Sequence, residues 1–381
     1  MYLNRLNFLT IALIYVFALT LLLLTNLSIE KYWLGLQDGY FYQSYIHSLS
    51  ISFSDPFANS LPAYPWLFFF FLASVKTAFE GVSTGQIYFA SFAIAYPSAL
   101  LALLFSLKKN RLGSFFSLSI FVALLFGLDL IHFWHKPHEI FGLALTFAAL
   151  NRYVMGLRNV KEAGVWGLLC GFGLGSYLPW MPIFITVIFL STYELRSYFL
   201  NKIIFLAIAS ITTLPVIVAL GLEILRFEKS PNTLFLTNVD FNFQSQFLHF
   251  ESPPAIFLIL SCIWALYRYF FITAKASEQP PCQHVIDATA IIKSSILIGF
   301  ACLICYFIYF TMFWLGGIAI TAPYKPLHAM IVPTAIISGH LIWLLLRKRI
   351  TFQLCGVFTL PTFSVLLFTL AVGSDAHIKV V

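Results

Sequence analysis

Residues 291–315 read IIKSSILIGFACLICYFIYFTMFWL, and this stretch decides the class of fold. Lys293 is its one charged residue. A helix needs about 20 consecutive apolar residues to cross the hydrocarbon core of a bilayer, and this run is long enough. Over the whole chain 60% of residues are hydrophobic and 10% are charged, whereas soluble domains carry about 25% charged residues. The apolar runs are continuous rather than alternating, so they predict membrane-spanning helices and not a β-barrel.

Basic clusters alternate along the chain with loops that contain acids or histidines, and this alternation predicts the topology. Cytoplasmic loops carry an excess of Lys and Arg, so we expect all of these clusters in the cytoplasm. The clusters are Arg5, 108–111, 152–161, 196–202, 268–275 and 347–349. We therefore predict an all-α polytopic protein with eleven spans, a cytoplasmic N-terminus and an outer C-terminus. The spans are 7–27, 86–106, 114–131, 139–155, 163–177, 179–193, 201–222, 254–273, 291–315, 329–346 and 350–372. The pair 163–177 and 179–193 has basic residues on both flanks, so it is either two spans or a re-entrant pair.

The apolar run 66–73 receives a different prediction. If it crossed the membrane, the next basic cluster would fall on the outer side. We therefore predict that 65–79 is a helix lying in the outer membrane interface, within a first extracytoplasmic loop at 28–85. The sequence shows no soluble domain and no nucleotide-binding signature, which predicts a single transmembrane domain over 1–381.

Asp38 is the leading candidate for chemistry. It follows the first predicted span, in a loop that reads Gln37-Asp38-Gly39-Tyr40. The chain has few acids, so an acid on its outer side is a candidate for chemistry, and a carboxylate can accept a proton from an attacking hydroxyl. The neighbouring Tyr40 is a candidate substrate contact. The alternative is a solvated loop residue or a helix cap. Asp55, in the same loop, is a further candidate substrate contact, but it precedes a proline and fits a turn residue more easily.

A second cluster lies at the predicted outer ends of spans three and four, in residues 129–139. It holds three histidines and two acids within eleven residues. The order His135-x-x-His138-Glu139 supplies ligand types that zinc uses, but Pro137 interrupts a helical face. We therefore predict no cofactor and keep a divalent metal as the alternative. Interfacial contact with lipid headgroups is the plainer interpretation. The candidate substrate-binding residues here are Asp129, His135, Lys136, His138 and Glu139.

The third cluster is Thr321-Ala-Pro-Tyr324-Lys325-Pro-Leu-His328, before span ten. Lys325 is a rare cation on the predicted outer face, and an ammonium can bind the phosphate of a lipid-linked substrate. Tyr324 and His328 are candidate contacts beside it. A lysine snorkelling to the interface is the alternative, and Arg226 and Lys229 compete for the phosphate role.

The first half of the chain, about residues 1–195, resembles the membrane glycosyltransferases of the GT-C superfamily in layout. The resemblance rests on an acid and an aromatic after span one, here Asp38 and Tyr40. A Tyr64-Pro65-x-Leu67 turn, an interfacial helix and a Phe79-Glu-Gly-Val-Ser83 end follow. Gly39 stands where many members carry a second acid, and the second proline of the turn is missing.

The resemblance implies an enzyme that moves a sugar from a polyprenyl-phosphate donor to a glycan, lipid or protein acceptor on the extracytoplasmic face. Asp38 would then be the catalytic base or would orient the acceptor. Membrane lipids are expected partners and nucleic acid is not. We expect a multi-pass protein of the bacterial plasma membrane, acting in the cell envelope, rather than one of the endoplasmic reticulum.

Two other classes fit the same chain. A transporter or flippase of a lipid-linked glycan would also need outer cations for a phosphate headgroup. A non-catalytic membrane subunit is the third class. Asp38 separates them, because an enzyme needs its carboxylate, whereas a flippase or a subunit should tolerate asparagine there.

Overall fold

The computed structural model describes residues 37–51, 67–79, 81–88, 91, 102–103, 105–107, 137–191, 198–226, 253–267, 283–316 and 325–346. All regular structure within these residues is helical. The helices that build the fold are α1 (Gln37–Ile51), α2 (Leu67–Ala78), α3 (Pro137–Met155), α4 (Val160–Ser176), α5 (Met181–Leu190), α6 (Phe199–Arg226), α7 (Pro253–Tyr267), α8 (Gln283–Gly316), α9 (Lys325–Ala329) and α10 (Ile331–Leu346). A short 3₁₀ helix, Leu178–Trp180, joins α4 to α5.

Two of these helices are long and apolar enough to cross a membrane. The qualifying segments are Phe199–Ala219 in α6 and Thr289–Tyr309 in α8, each of 21 residues. The bent pair Val160–Ser176 and Leu178–Leu190 adds a third if it counts as one span. The described part of the chain is therefore that of a helical membrane protein.

Most predicted spans that fall within the described residues coincide with helices. The predicted spans 139–155, 163–177, 179–193, 201–222, 291–315 and 329–346 correspond to α3, α4, α5, α6, α8 and α10, and α7 covers the described part of 254–273. The predicted spans 7–27, 114–131 and 350–372, and most of 86–106, lie outside the described residues. The count of eleven stays a prediction.

The connection between α4 and α5 is a sharp turn. The two helix axes differ by 119°. Tyr177 ends α4, and its N–H donates to the Gly173 carbonyl at 3.1 Å. Pro179 then follows, and a proline cannot supply the N–H that would continue the helix. So large a bend turns the chain back on itself, as two spans and a re-entrant pair both require, and the choice between these two stays a prediction.

Close backbone contact joins α4 to α6. A Cβ added at Gly167 would lie 2.7 Å from the Phe205 carbonyl oxygen, and one at Gly171 would lie 2.6 Å from that of Ala209. Small residues four apart let two helices approach this closely, which is how helices associate in lipid. The outer faces of both helices carry exposed aliphatic side chains, among them Leu168 and Ile211, as lipid-facing surfaces do.

The structure corrects one prediction about the first loop. Asp38 was expected in a loop, but it is the second residue of α1. Gly39 and the serines of this segment are weak helix formers, so propensity does not predict the helix. Packing stabilises it instead. The buried residues Tyr42, Tyr45, Ile46 and Leu49 follow a helical i, i+3, i+4, i+7 pattern, and they pack in one cluster with Phe68, Phe69, Leu72 and Ala73 of α2.

The predicted interfacial helix 65–79 corresponds to α2, Leu67–Ala78. Its 12 residues extend for only about 18 Å, which is shorter than a membrane span. Its placement in the membrane interface stays a prediction.

Candidate functional site

The candidate site lies at the N-terminal end of α3, where residues from three other parts of the chain surround His138. The His138 ring is fully buried. Its centroid lies 4.8 Å from that of Tyr42 in an edge-on arrangement, 4.9 Å from that of Phe69 and 5.6 Å from that of Tyr177. Helices α1 and α2 and the α4–α5 turn therefore meet at this end of α3.

Glu139, the next residue, forms a buried ion pair with Lys325. The Lys325 ammonium donates to both carboxylate oxygens, at 2.8 Å to Oε1 and 2.7 Å to Oε2. The side chains are 1% exposed for Glu139 and 10% for Lys325. Taking two charges out of water is costly unless they are paired and hydrogen-bonded, so this pair fixes the start of α9 against α3.

Two aromatic side chains from the α4–α5 turn complete the surroundings of the pair. The Lys325 Nζ lies 5.9 Å from the centroid of the Tyr177 ring, within the range of a cation–π contact. The indole N–H of Trp180 donates to the backbone carbonyl of Glu139 at 3.4 Å. The 119° turn between α4 and α5 is what brings both rings to this end of α3.

The local sequence explains why His138 and Glu139 sit on a helix. The predicted span 139–155 already places Glu139 on a helix. The expectation that Pro137 interrupts a helical face running from His135 to His138 stays a prediction, because His135 lies outside the described residues. Pro137 is the first residue of α3, the position at which a proline is tolerated because its missing N–H has no intrahelical partner. Glu139 then lies in the first turn, where a carboxylate is favoured by the helix dipole.

The backbone of Asp38 is brought to the same end of the bundle. Asp38 lies one helical turn before Tyr42 on α1, so about 6 Å of helix rise separates their Cα atoms. Tyr42 in turn contacts His138. Tyr40 lies on the same helix between them in sequence.

The other predicted site residues divide into two groups. His328 lies within α9, three residues after Lys325. The remaining candidates, which lie outside the described residues, are Asp55, Asp129, His135, Lys136 and Tyr324.

Sequence reasoning missed four buried aromatic side chains of the site: Tyr42, Phe69, Tyr177 and Trp180. The helical spacing of buried positions in α1 could have identified Tyr42. Tyr177 and Trp180 lie about 40 residues along the chain from Glu139, and nothing local in sequence connects them to it.

The described parts of the chain contain no group of three or more His, Cys, Asp or Glu side chains that could hold a metal ion. Within those parts, the donor types at the site are a histidine ring and one carboxylate, and the carboxylate is bound by Lys325. The chemistry that this arrangement offers is a fixed positive charge, a carboxylate and aromatic surfaces.

No protein-family model and no curated protein matches the chain. A fold class hosts many functions, so the function is argued from the residues of the site.

Proposed function

We propose that this chain is a membrane glycosyltransferase that moves a sugar from a lipid-phosphate donor to an acceptor on the extracytoplasmic face. One observation carries the proposal. The helix of Asp38 and the Glu139–Lys325 pair meet at one end of the helix bundle around His138, although they are far apart in sequence. The proposal requires that a single bound sugar phosphate reach both Asp38 and Lys325.

The reaction needs two kinds of group, and the chain offers candidates for both. The acceptor hydroxyl oxygen forms a bond to the anomeric carbon as the bond from that carbon to the phosphate oxygen breaks. The hydroxyl proton passes to the Asp38 carboxylate, which acts as general base. The lipid phosphate leaves with the bonding electrons, and the Lys325 ammonium stabilises the negative charge that develops on it.

The ion pair supports this role for Lys325. A lysine free in solution occupies many rotamers, whereas Lys325 is held by two hydrogen bonds to Glu139. Its charge is therefore in position before the donor binds. Charges fixed in advance stabilise a transition state without the cost of reorganisation.

The proposal includes the predicted topology. Eleven spans with the N-terminus in the cytoplasm place Asp38 and Lys325 on the extracytoplasmic side, at the membrane boundary where a lipid-linked donor presents its phosphate. The membrane is proposed to be the bacterial plasma membrane, and the acceptor a glycan, lipid or protein of the cell envelope.

The test is Asp38→Asn in the full chain, reconstituted in proteoliposomes and assayed with a polyprenyl-phosphate sugar. The substitution keeps the size of the side chain but removes its basicity. Loss of a general base costs on the order of a hundredfold to ten-thousandfold in rate. Asp240→Asn, in another predicted outer loop, is the matched control and should keep full activity.

The result also separates the enzyme from a flippase. If Asp38→Asn transfers sugar as fast as the wild type, Asp38 is not the base and the enzyme proposal fails. If the wild-type protein moves a fluorescent lipid-linked glycan across the bilayer without transferring sugar, the chain is a flippase.

A further inference from the structure

The opposite end of α3 carries a second charged cluster, in which α3, α4 and α6 approach each other. Arg152, near the end of α3, forms an ion pair with Glu162 in the first turn of α4. The backbone N–H of Arg158 donates to the other Glu162 oxygen at 2.9 Å. Lys202 of α6 is buried and lies 5.3 Å from the centroid of the Tyr153 ring.

Positive charge exceeds negative charge in this cluster. Arg152, Arg158, Lys161 and Lys202 are basic, and among the described residues of the cluster Glu162 is the acid. One nitrogen of the Arg152 guanidinium is bound to Glu162, but its Nε–H has no hydrogen-bond partner although Arg152 is only 6% exposed. A headgroup at the surface would not reach this buried donor, but the surplus of positive charge in the cluster favours an anion nearby.

The first turn of α4 offers two further features that favour an anion. The Asn159 side chain accepts the Glu162 N–H at 2.8 Å and caps the helix. The other N–H groups of a first helical turn have no intrahelical partner and carry the positive end of the helix dipole. The side chains of Arg158 and Lys161 are exposed beside this turn.

The exposed face of α4 changes from cationic to apolar along its length. Lys161, Val165 and Leu168 follow a helical i, i+4, i+7 spacing, and all three are exposed. They therefore lie on one face of the helix. An ammonium at the helix end followed by aliphatic side chains one and two turns further along matches a phospholipid, which has an anionic headgroup above apolar tails.

We propose that the α4 end of this cluster binds an anionic phospholipid, with the headgroup phosphate at Arg158 and Lys161 and an acyl chain along Val165 and Leu168. The positive charge of the cluster selects an anionic headgroup over a zwitterionic one. The exposed aliphatic face selects a lipid over a free phosphate ion. The site lies at the end of α3 away from Glu139, and the inference does not depend on the proposed glycosyl transfer.

The experiment titrates short-chain phosphatidylglycerol into the detergent-solubilised full chain and counts bound lipid by native mass spectrometry. Basic residues near an anionic headgroup each contribute about fivefold in affinity. The double variant Arg158→Gln/Lys161→Gln should therefore weaken binding about 25-fold. Both side chains are exposed, so the variant should fold normally. Lys108→Gln/Lys109→Gln removes the same charge from another predicted cytoplasmic cluster and should leave this binding unchanged.

Two further measurements identify the ligand. Leu168→Gln keeps the charges but interrupts the aliphatic stripe, and it should also weaken binding of phosphatidylglycerol. Phosphatidylcholine and inorganic phosphate should bind the wild-type chain much more weakly. Equal binding of phosphatidylcholine, equal binding by the Arg158→Gln/Lys161→Gln variant, or competition by millimolar inorganic phosphate would each overturn the proposal.

Discussion

Glu139 and Arg152 lie near opposite ends of α3, and each is held in an ion pair, which is buried for Glu139 and partly buried for Arg152. At about 1.5 Å per residue, roughly 20 Å of helix rise separates them. Most of the side chains between them are apolar. The exceptions are Thr146, near the middle of the helix, and Asn151, next to Arg152. Charges confined to the two ends of an apolar helix are expected where it crosses a hydrocarbon core, because ionised groups inside the core are costly.

This arrangement leads to a prediction about topology. The two ends of α3 should face opposite sides of the membrane, with the Arg152 end in the cytoplasm. In a variant without native cysteines, a cysteine at Ser54 or Ser252 should react with an impermeant reagent in intact cells. A cysteine at Asn110 should react only after permeabilisation. Labelling of Asn110 in intact cells would mean that the apolar run 66–73 crosses the membrane.

The α4–α6 contact gives a prediction about stability. A Cβ at Gly171 would lie 2.5 Å from the Thr212 Cβ and 2.6 Å from the Ala209 carbonyl oxygen. Gly171→Ala should therefore force the two helices apart and destabilise the protein by about 1–3 kcal/mol, as overpacking does. Gly164→Ala is the control on the same helix, because its Cβ would lie 3.6 Å from Ile208 Cδ1, an ordinary contact. Thermal unfolding in detergent measures both, and equal melting temperatures would show that the contact is looser than described.

The Glu139–Lys325 pair predicts that single and double variants behave differently. Glu139→Leu or Lys325→Met alone leaves one buried charge without its partner, which costs about 3–5 kcal/mol. The double variant Glu139→Leu/Lys325→Met removes both charges and should be much closer to the wild type in stability. A thermal unfolding series of the four proteins measures the coupling. Additive losses would mean that the two residues do not interact.

The fold class follows from composition and the long apolar runs, because helices are the way in which continuous apolar segments satisfy their backbone hydrogen bonds in lipid. Composition and apolar runs do not predict the helix α1. Its polar and glycine residues suggest a loop, and only the spacing of Tyr42, Tyr45, Ile46 and Leu49 indicates a helix packed on one side. Tertiary packing here overrides local propensity.

The site could be predicted from sequence only in part. Asp38, Glu139 and Lys325 were identifiable as rare polar residues in predicted outer segments. The ion pair between Lys325 and Glu139 could not be identified from the sequence. The two residues are 186 positions apart, and no local pattern encodes so distant a contact. The sequence predicted a phosphate as the partner of Lys325, and the structure gives its ammonium a carboxylate partner. Binding of a donor phosphate by Lys325 stays a prediction.

The last prediction separates donor binding from chemistry. If the Lys325 charge binds the donor phosphate, removing it should raise KM for the donor, since hydrogen bonds to charged groups contribute about 1.5–3 kcal/mol, or roughly tenfold to more than a hundredfold. The Glu139→Leu/Lys325→Met variant is the one to use, because Lys325→Met alone also leaves a buried carboxylate unpaired. Asp38→Asn should instead lower kcat with little change in KM, because a general base acts in the transition state. Initial rates at varied donor concentration measure both constants. An unchanged KM together with an unchanged kcat in the double variant would assign Lys325 to holding α9 against α3 and leave the phosphate to another cation.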